Sequence, residues 1–514
     1  MNKRSISVLG WIIPIVLAAQ RDSIQMRFAG TITEADLRKH LTVLASDEYE
    51  GRETGMRGQK MAADYLKEQF KAFGIPPLPH PASIGTRDGY FQPFGLVIEQ
   101  PGSLVLEVDG KHYKFLEDQV YFSKRATGDR SFDRIWFTGE EGLGELPPDA
   151  SAAMVLVPKG GIGSLPILEK LRTLTGTFSG RGGKLLLIAL EDFDATVAQY
   201  AHWLGSTRMR LADDHDESPL DGLQVMLVDA GPSMAILSHG NITWAKALKQ
   251  VRKGKAQRTR SIEAAVSVLH RPVRTPMESE NVLAYVEGTD KKDELVVVTA
   301  HYDHIGAHDG EVYNGADDDG SGTVALLEMA QAFAEARKSG HGPRRSLLFM
   351  PVSAEEKGLL GSGHYSEHPV FPLASTVCDL NIDMIGRTDS AHANGRPYVY
   401  IIGSNRLSTG LHEATVKANE RYVGLDLDET FNAPDDPNRF YYRSDHYNFA
   451  RKGIPVVFFF SGVHEDYHQP GDEVEKIRFD LLHQRTLLVF HTAWEIANRE
   501  ERLVVDGKVE KEND

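Results

Sequence analysis

Acidic and imidazole side chains concentrate in five short segments of the C-terminal half of the 514-residue chain. The segments are 300–306 (AHYDHIG), 314–322 (NGADDDGSG), 353–358 (SAEEKG), 381–384 (NIDM) and 466–472 (DYHQPGD). Most of them directly follow an apolar run that is typical of a buried strand. Because ligands bind beyond the carboxyl ends of the strands in an open α/β sheet, we expect the segments to meet there. Carboxylates brought together in this way repel one another, and a cation offsets that repulsion.

Each segment alone has an ordinary structural explanation. Three aspartates before a helix often do no more than stabilise its N-terminus, and charged side chains are mostly exposed. Together, oxygen ligands with a few imidazoles suit zinc or another divalent metal. The only cysteine is Cys378, so the sequence excludes both an intramolecular disulfide and a zinc site made of cysteines.

The elements that must position these segments are predicted from residue 281 onward. Apolar strands there alternate with amphipathic helices, which predicts an α/β fold with a mostly parallel mixed sheet flanked by helices. The predicted strands are 295–300, 346–352, 377–384, 398–403 and 455–460, and the predicted helices are 321–337, 407–420 and 479–498.

Two further helices are predicted near the start of the chain, at 32–46 and 58–74. Between about 101 and 265, short β-like runs and glycine-rich turns with one helix-like stretch, 195–204, predict an inserted smaller β-rich domain. We interpret the basic stretch 249–260 as a solvated helix face or linker. The predicted sections are a signal peptide (1–20), an N-terminal helical segment packing on the core (21–100), the inserted domain (101–265) and the core domain (266–514).

The N-terminus has the layout of a secretory signal peptide. Lys3 and Arg4 precede the apolar run Val8–Ala19, and small residues close that run. The run is shorter than the ~20 residues that span a bilayer, although an uncleaved anchor is the alternative. We expect a periplasmic or extracellular protein without stable membrane insertion after cleavage.

Composition narrows the possible partners. Lys and Arg number 57 and Asp and Glu 73, so the formal net charge is −16, which argues against a nucleic-acid partner. Hydrophobic residues make up 41% and charged residues 25%. These values are typical of a globular protein and exclude a collagen-like, disordered or polytopic membrane chain.

The order of the motifs resembles that of the co-catalytic di-zinc aminopeptidases of peptidase clan MH. Relatives in that clan include glutamate carboxypeptidase II, glutaminyl cyclases and the transferrin receptor ectodomain. The inserted section resembles, by position and texture, the protease-associated domain that many members carry. The matching residues are His301-x-Asp303, Gly315-Ala316-Asp317-Asp318-Asp319-Gly320-Ser321-Gly322, Glu355-Glu356-x-Gly358, Asp383 and Tyr467-His468.

The resemblance implies two zinc ions per chain. It implies that His301 and Asp383 hold one ion, that Glu356 and His468 hold the other, and that Asp318 bridges both. In that family the peptide bond after the bridging residue is typically cis. Every ligand position carries the family's residue type, which argues against a non-catalytic relative.

The resemblance also implies catalytic roles for three further residues. Glu355 would be the general base and acid, since a carboxylate beside the metals takes the proton of the attacking water. Asp303 would accept a hydrogen bond from His301 and fix its tautomer. Tyr467 would donate to the developing oxyanion, with a packed aromatic ring as the alternative. Arg443 matches a position near the substrate pocket, with a structural ion pair as the other interpretation.

The implied activity is that of a secreted or periplasmic metallo-aminopeptidase acting on peptides with a free N-terminus. A carboxypeptidase or dipeptidase of the same clan is an alternative, because Arg443 keeps open a site for a substrate carboxylate. A non-catalytic binding ectodomain of the transferrin receptor type is the alternative from another class.

Overall fold

The computed structural model describes residues 23–78, 87–122, 128–160, 167–205, 207–213, 222–255, 257–393 and 395–509. The predicted signal peptide, residues 1–20, lies outside them. The chain divides into two compact units, a larger one of Met1–Leu96 with Met277–Asp514 and a smaller one of Val97–Pro276. Within the described ranges, no helix combines the length and the apolar character needed to cross a membrane.

The larger unit is built on a mixed sheet. Its strands are β1 (Ala284–Val286), β2 (Lys291–His301), β3 (Gly306–His308), β4 (Glu311–Tyr313), β5 (Arg345–Val352), β6 (Thr376–Ile382), β7 (Tyr398–Ile402), β8 (Asp426–Asp428) and β9 (Val456–Phe460). The sheet order is β1-β5-β2-β6-β9-β7-β8, and β3 pairs with β4 separately. Strands β5, β2, β6 and β9 are parallel neighbours, while β1 and β7 run antiparallel to β5 and β9. The predicted mostly parallel α/β sheet is therefore confirmed.

Helices cover both faces of this sheet. They are α1 (Glu34–Leu44), α2 (Arg57–Ala72), α3 (Gly322–Lys338), α4 (Leu360–Glu367), α5 (Thr409–Tyr422), α6 (His446–Ala450) and α7 (Phe479–Asn498). Successive residues of a strand point to opposite faces. Val296 of β2 accordingly packs in a cluster with Leu41 of α1 and Leu66 of α2, while Val297 packs in another cluster with Phe449 of α6. This two-sided burial explains the continuous apolar run at 295–300.

The smaller unit contains a nine-stranded sheet and four helices among its described residues. The strands are Phe91–Val108, Lys111–Lys114, Gln119–Tyr121, Arg130–Thr138, Ala152–Val157, Leu185–Leu190, Arg208–Leu211, Gln224–Val228 and Arg260–Val282, the first and last of which extend beyond it. The helices are Ile167–Ser179, Phe193–Gly205, Ala230–His239 and Trp244–Arg252. In the basic stretch 249–260, residues 249–252 end the last helix and Arg260 begins the last strand.

The prediction of one helix in this section is wrong, and the helix Ile167–Ser179 shows why. Its threonines and Gly176 are poor helix formers and disguise it in the sequence. In the structure, the hydroxyls of Thr173, Thr175 and Thr177 each donate to the carbonyl four residues earlier. Local propensity was thus overridden by packing of an apolar helix face.

Arg52 ties the N-terminal segment to two loops at the end of the sheet. The residue is 1% exposed. Its Nε donates to the carbonyl of Tyr302 at 2.8 Å, and its Nη1 donates to the carbonyls of Leu44 and Asn314 at 2.7 Å. Its Nη2 donates to the carbonyl of Gly315 at 2.9 Å. One guanidinium therefore joins the end of α1 to the two segments 300–306 and 314–322.

We expect Arg52→Met to lower the free energy of unfolding by about 3–5 kcal/mol, because it leaves buried carbonyls without a donor at roughly 1–3 kcal/mol each. Chemical denaturation followed by circular dichroism measures the change. Arg57→Met is the matched control, since Arg57 is 62% exposed with one ion pair to Glu50, and we expect it to change stability by no more than about 0.5 kcal/mol. Equal midpoints for the two variants would contradict the prediction.

Candidate metal centre

The five predicted ligands come from five different segments of the larger unit. His301 is the last residue of β2, and Asp383 directly follows β6. Glu356 lies four residues after β5, Asp318 lies with non-helical backbone angles in the turn before α3, and His468 lies between β9 and α7. Because β2, β5, β6 and β9 run parallel, their carboxyl ends bring these segments to one edge of the sheet.

The side chains of these five residues face one another across Asp318. His301 Nε2 lies 3.2 Å from Asp318 Oδ1 and 3.5 Å from Asp383 Oδ1. On the other side, His468 Nε2 lies 3.1 Å from Asp318 Oδ2 and 3.2 Å from Glu356 Oε2. One oxygen of Asp318 therefore faces His301 and the other faces His468, with Nδ1 of His304 3.8 Å from the second oxygen. We call these two groups half-site A (His301, Asp383) and half-site B (His468, Glu356).

The electrostatics of both half-sites fit divalent cations. Burial alone would lower the pKa of His468, but hydrogen bonds to Asp318 and Glu356 raise it to about 10. Burial opposes a raised pKa at His301 too, and nearby carboxylates, Glu355 foremost, outweigh it. Imidazole binds a metal in its neutral form and carboxylate in its ionised form. A cation in each half-site would take the place of the proton that pairs imidazole with carboxylate.

The backbone around Asp318 is held by Asp472. The Asp472 carboxylate accepts hydrogen bonds from the N–H groups of Asp317 and Asp318, both at 3.0 Å. Its own carbonyl accepts from the N–H of Ala316 at 3.0 Å. Asp472 follows His468 by four residues. Its hydrogen bonds therefore join the loop of His468 to the turn that carries Asp318. It belongs to the segment 466–472, but no role is predicted for it from the sequence.

Asp319 holds the other side of the same turn. The peptide bond between Asp318 and Asp319 is cis. Oδ1 of Asp319 accepts from the N–H of Gly322 at 2.8 Å and from the N–H of Met384 at 3.0 Å. Gly315, which precedes the turn, has a φ of +52°, and a Cβ at this position would collide with the Asp318 carbonyl. The turn and the loop after β6 are therefore fixed relative to each other.

The structure corrects the predicted role of Asp303. His301 Nδ1 contacts the backbone carbonyl of Asp303 at 3.0 Å, while the nearest Asp303 carboxylate oxygen lies 3.9 Å away. A carbonyl can only accept, so Nδ1 carries the proton and Nε2 is left to bind a metal. The Asp303 carboxylate instead accepts from the hydroxyl of Thr54 at 2.6 Å and the N–H of Glu355 at 3.2 Å. The Asp303 carboxylate therefore positions the backbone of Glu355. The contact with His301 is made by the backbone carbonyl of Asp303 instead.

Glu355 lies beside the half-sites without pairing closely with a ligand atom. Its Oε2 is 3.9 Å from His301 Nε2, and its side chain is 11% exposed. Burial raises the pKa of Glu355 well above its usual value, and the neighbouring carboxylates of Glu356 and Asp383 raise it further. Glu355 also lines the cleft next to half-site A. The group is therefore placed to hold a proton next to bound substrate.

Tyr467 lines the same cleft. Its ring stacks on His468 with centroids 3.9 Å apart. Its hydroxyl oxygen accepts a long hydrogen bond from Nη2 of Arg443 at 3.4 Å. Burial raises the pKa of Tyr467, so the hydroxyl keeps its proton and is able to donate it.

Two contacts of the ligands are not predicted from the sequence. His304, to which no ligand role is assigned, places Nδ1 2.8 Å from Glu356 Oε1. Ser444 Oγ donates to Asp383 Oδ2 at 2.7 Å and accepts from the amide of Asn381 at 2.8 Å. Ser444 is 61 residues from Asp383, so no local spacing pattern could reveal this pair.

Comparisons with known proteins identify relatives of this chain among peptidases. Residues 281–493 match the model of peptidase family M28. Aminopeptidase YwaD of Bacillus subtilis is 29% identical over 237 residues, which cover 44% of this chain and 47% of that protein. The probable glutamate carboxypeptidase AMP1 of Arabidopsis thaliana is 29% identical over 231 residues, which cover 44% of this chain and 30% of that one. The chain thus spans about half or less of the length of these relatives.

Among solved structures, an aminopeptidase from Aneurinibacillus sp. strain AM-1 has a TM-score of 0.54 at 18% identity, covering 94% of this chain and 98% of that one. At this identity the likeness establishes the fold. The family match spans the segments that carry all five predicted ligands and Glu355. Residues 281–493 of this chain are therefore similar to peptidase family M28 over the whole of the candidate site.

Proposed function

We propose that this protein is a zinc-dependent aminopeptidase that removes N-terminal residues from peptides. The observation that carries the proposal is the pair of half-sites that share Asp318, with Glu355 beside them in the cleft. The resemblance of the motifs and the aminopeptidases among the relatives support it.

The five side chains divide between two zinc ions in this proposal. His301 and Asp383 would hold one ion in half-site A, and Glu356 and His468 would hold the other in half-site B. Asp318, whose two oxygens face His301 and His468, would be shared between them. Zinc bound there would supply a Lewis acid for the scissile carbonyl and a means of activating water at neutral pH.

The other residues move protons and orient the ligands. Glu355 takes the proton of the attacking water and returns it to the leaving amine. Asp303 holds the backbone of Glu355. Tyr467 donates a hydrogen bond from its hydroxyl to the oxyanion that develops on the substrate, since the bond from Arg443 uses the hydroxyl oxygen only as acceptor. Ser444 orients the carboxylate of Asp383.

The two remaining parts of the prediction stay proposals. We propose that the basic and apolar start of the chain directs export to the periplasm or the exterior. We also propose that the inserted section is a protease-associated-like domain, which contributes none of the ligands. A non-catalytic transferrin-receptor-like role would involve missing ligands, whereas the five predicted ligands face one another here.

We expect the protein purified without chelator to contain two zinc ions per chain by elemental analysis. In that state it should hydrolyse leucine anilide and leave N-acetyl-leucine anilide intact, because an aminopeptidase requires a free α-amine. A chelator should abolish the activity and added zinc should restore it. Failure to take up zinc would contradict the metal assignment. Cleavage of the N-acetylated substrate alone would contradict the aminopeptidase assignment.

We expect Asp472→Asn to weaken zinc binding by about 10- to 100-fold, which is the usual effect of removing an outer hydrogen-bond partner of a ligand. An amide has one acceptor oxygen, whereas the Asp472 carboxylate uses two to hold the N–H groups of Asp317 and Asp318. Competition with a chromogenic chelator measures the affinity. Glu475→Gln is the matched control, because Glu475 is exposed in the same loop region. Equal affinities for the two variants would show that Asp472 does not position the centre.

We expect Glu355→Gln to keep both zinc ions and to lower kcat by about 10²- to 10⁴-fold, the scale of general acid–base catalysis. The glutamine has nearly the same shape but accepts no proton, and all five ligands remain. Turnover of leucine anilide and zinc content are measured on the same sample. Near-normal turnover with full zinc content would refute the role of Glu355.

A further inference from the structure

The cleft beside half-site A combines an apolar wall with one cationic side chain. The apolar wall consists of Met384, Phe440, Phe458, Phe460 and Val463. Arg443 is the only lysine or arginine among the described residues that line the cleft. The proposed mechanism does not use this charge.

The contacts of Arg443 leave its charge available. The side chain is exposed, and its guanidinium lies 4.8 Å from the centroid of the Phe440 ring. Its one side-chain hydrogen bond within the described ranges is the long bond to Tyr467, although a guanidinium has five N–H donors. No carboxylate of the described residues lies within 4.0 Å of it, so the alternative interpretation of Arg443 as half of a structural ion pair is wrong for this part of the chain.

Bound cations would offset the carboxylates of the half-sites and of Glu355, whereas Arg443 has no carboxylate partner of its own among the described residues. Asp318, Glu355, Glu356 and Asp383 carry four negative charges when ionised, and two divalent cations would offset all four. The guanidinium then remains as a net positive charge in the wall of the cleft. A planar guanidinium matches a carboxylate in a two-point contact. Phe440 supports it from one side, which restricts its orientation.

We propose that Arg443 binds a carboxylate of the substrate, so that the enzyme favours peptides with a free carboxylate near the scissile bond. The inference rests on the proposed exopeptidase function and names its substrate class. The carboxylate has two sources: the side chain of an acidic N-terminal residue, and the C-terminus of a dipeptide. Arg443 is then a specificity-determining residue in the wall of the cleft.

Binding of matched peptide pairs tests the proposal without turnover. Dissociation constants are measured by calorimetry on zinc-loaded protein carrying Glu355→Gln. The first pair, Leu-Leu and Leu-Leu-amide, differs in the C-terminal carboxylate. The second pair, Glu-Leu-amide and Gln-Leu-amide, differs in the acidic side chain. We expect the acid of at least one pair to bind about tenfold more tightly than its neutral partner, the scale of a charge-assisted hydrogen bond at a partly exposed site.

Substitution of Arg443 then assigns the preference. We expect Arg443→Met and Arg443→Gln to remove the preference for the acidic peptide, while the affinity for its neutral partner changes by less than about twofold. Arg443→Lys should retain part of the preference, because the positive charge remains. Zinc content and Tm of each variant show that the centre is intact. Two neutral substitutions guard against a folding defect in one of them.

The outcomes separate cleanly. A fall of threefold or more in the acid-to-neutral ratio with Arg443→Met or Arg443→Gln supports the proposal, and the pair that responds identifies the source of the carboxylate. A smaller fall in both pairs, or equal weakening of acid and neutral peptides, overturns it and leaves Arg443 with a packing role against Phe440. Absence of hydrolysis of all four peptides by the unsubstituted enzyme would contradict the proposed function alone, since the binding ratios do not depend on turnover.

Discussion

The sharing of one carboxylate between two groups of ligands governs this structure. The two oxygens of Asp318 face different imidazoles, His301 at 3.2 Å and His468 at 3.1 Å. Asp318 is able to lie between the two half-sites only if its backbone runs between the ends of several strands. The parallel order of β5, β2, β6 and β9 provides those ends, and the turn before α3 brings Asp318 across them. The acidic character of the region then becomes tolerable, because concentrated negative charge is stabilised by cations.

The acids that are not ligands contribute by holding backbone. Asp472 accepts from two N–H groups in the turn that carries Asp318, Asp319 accepts from the loop after β6, and Asp303 accepts from Glu355. Each carboxylate thereby fixes a segment that presents another carboxylate to the centre. Charge-assisted hydrogen bonds of this kind are about twice as strong as neutral ones. The concentration of acids in the five segments thus has two physical explanations: some are the proposed metal ligands, and others hold the backbone that carries those ligands.

The sequence predicts the parts of this arrangement that depend on local pattern. The run Leu295–Ala300 followed by His301 identifies a buried strand and the residue at its end, because burial on both faces requires continuous apolar residues. The sequence pattern does not show whether His301 contacts the backbone carbonyl or the carboxylate of Asp303, because both acceptors belong to the same residue. It does not reveal Ser444 either, since that contact exists only in the folded chain. In the smaller unit, threonine-rich segments such as Ile167–Ser179 form helices against their propensity, which tertiary packing decides.

The position of Arg52 along the chain has a consequence for the order in which the protein is assembled. Its carbonyl partners Tyr302, Asn314 and Gly315 are 250 to 263 residues away. During synthesis from the N-terminus, residues 97–276 are made before any of these partners. The N-terminal helices α1 and α2 therefore cannot bury their apolar faces until the sheet of the larger unit has been synthesised. The entropic cost of closing so long a loop rises only slowly with its length, so the insertion adds little to the free-energy cost of this contact. Its main effect is a delay in synthesis, during which the smaller unit is able to fold first.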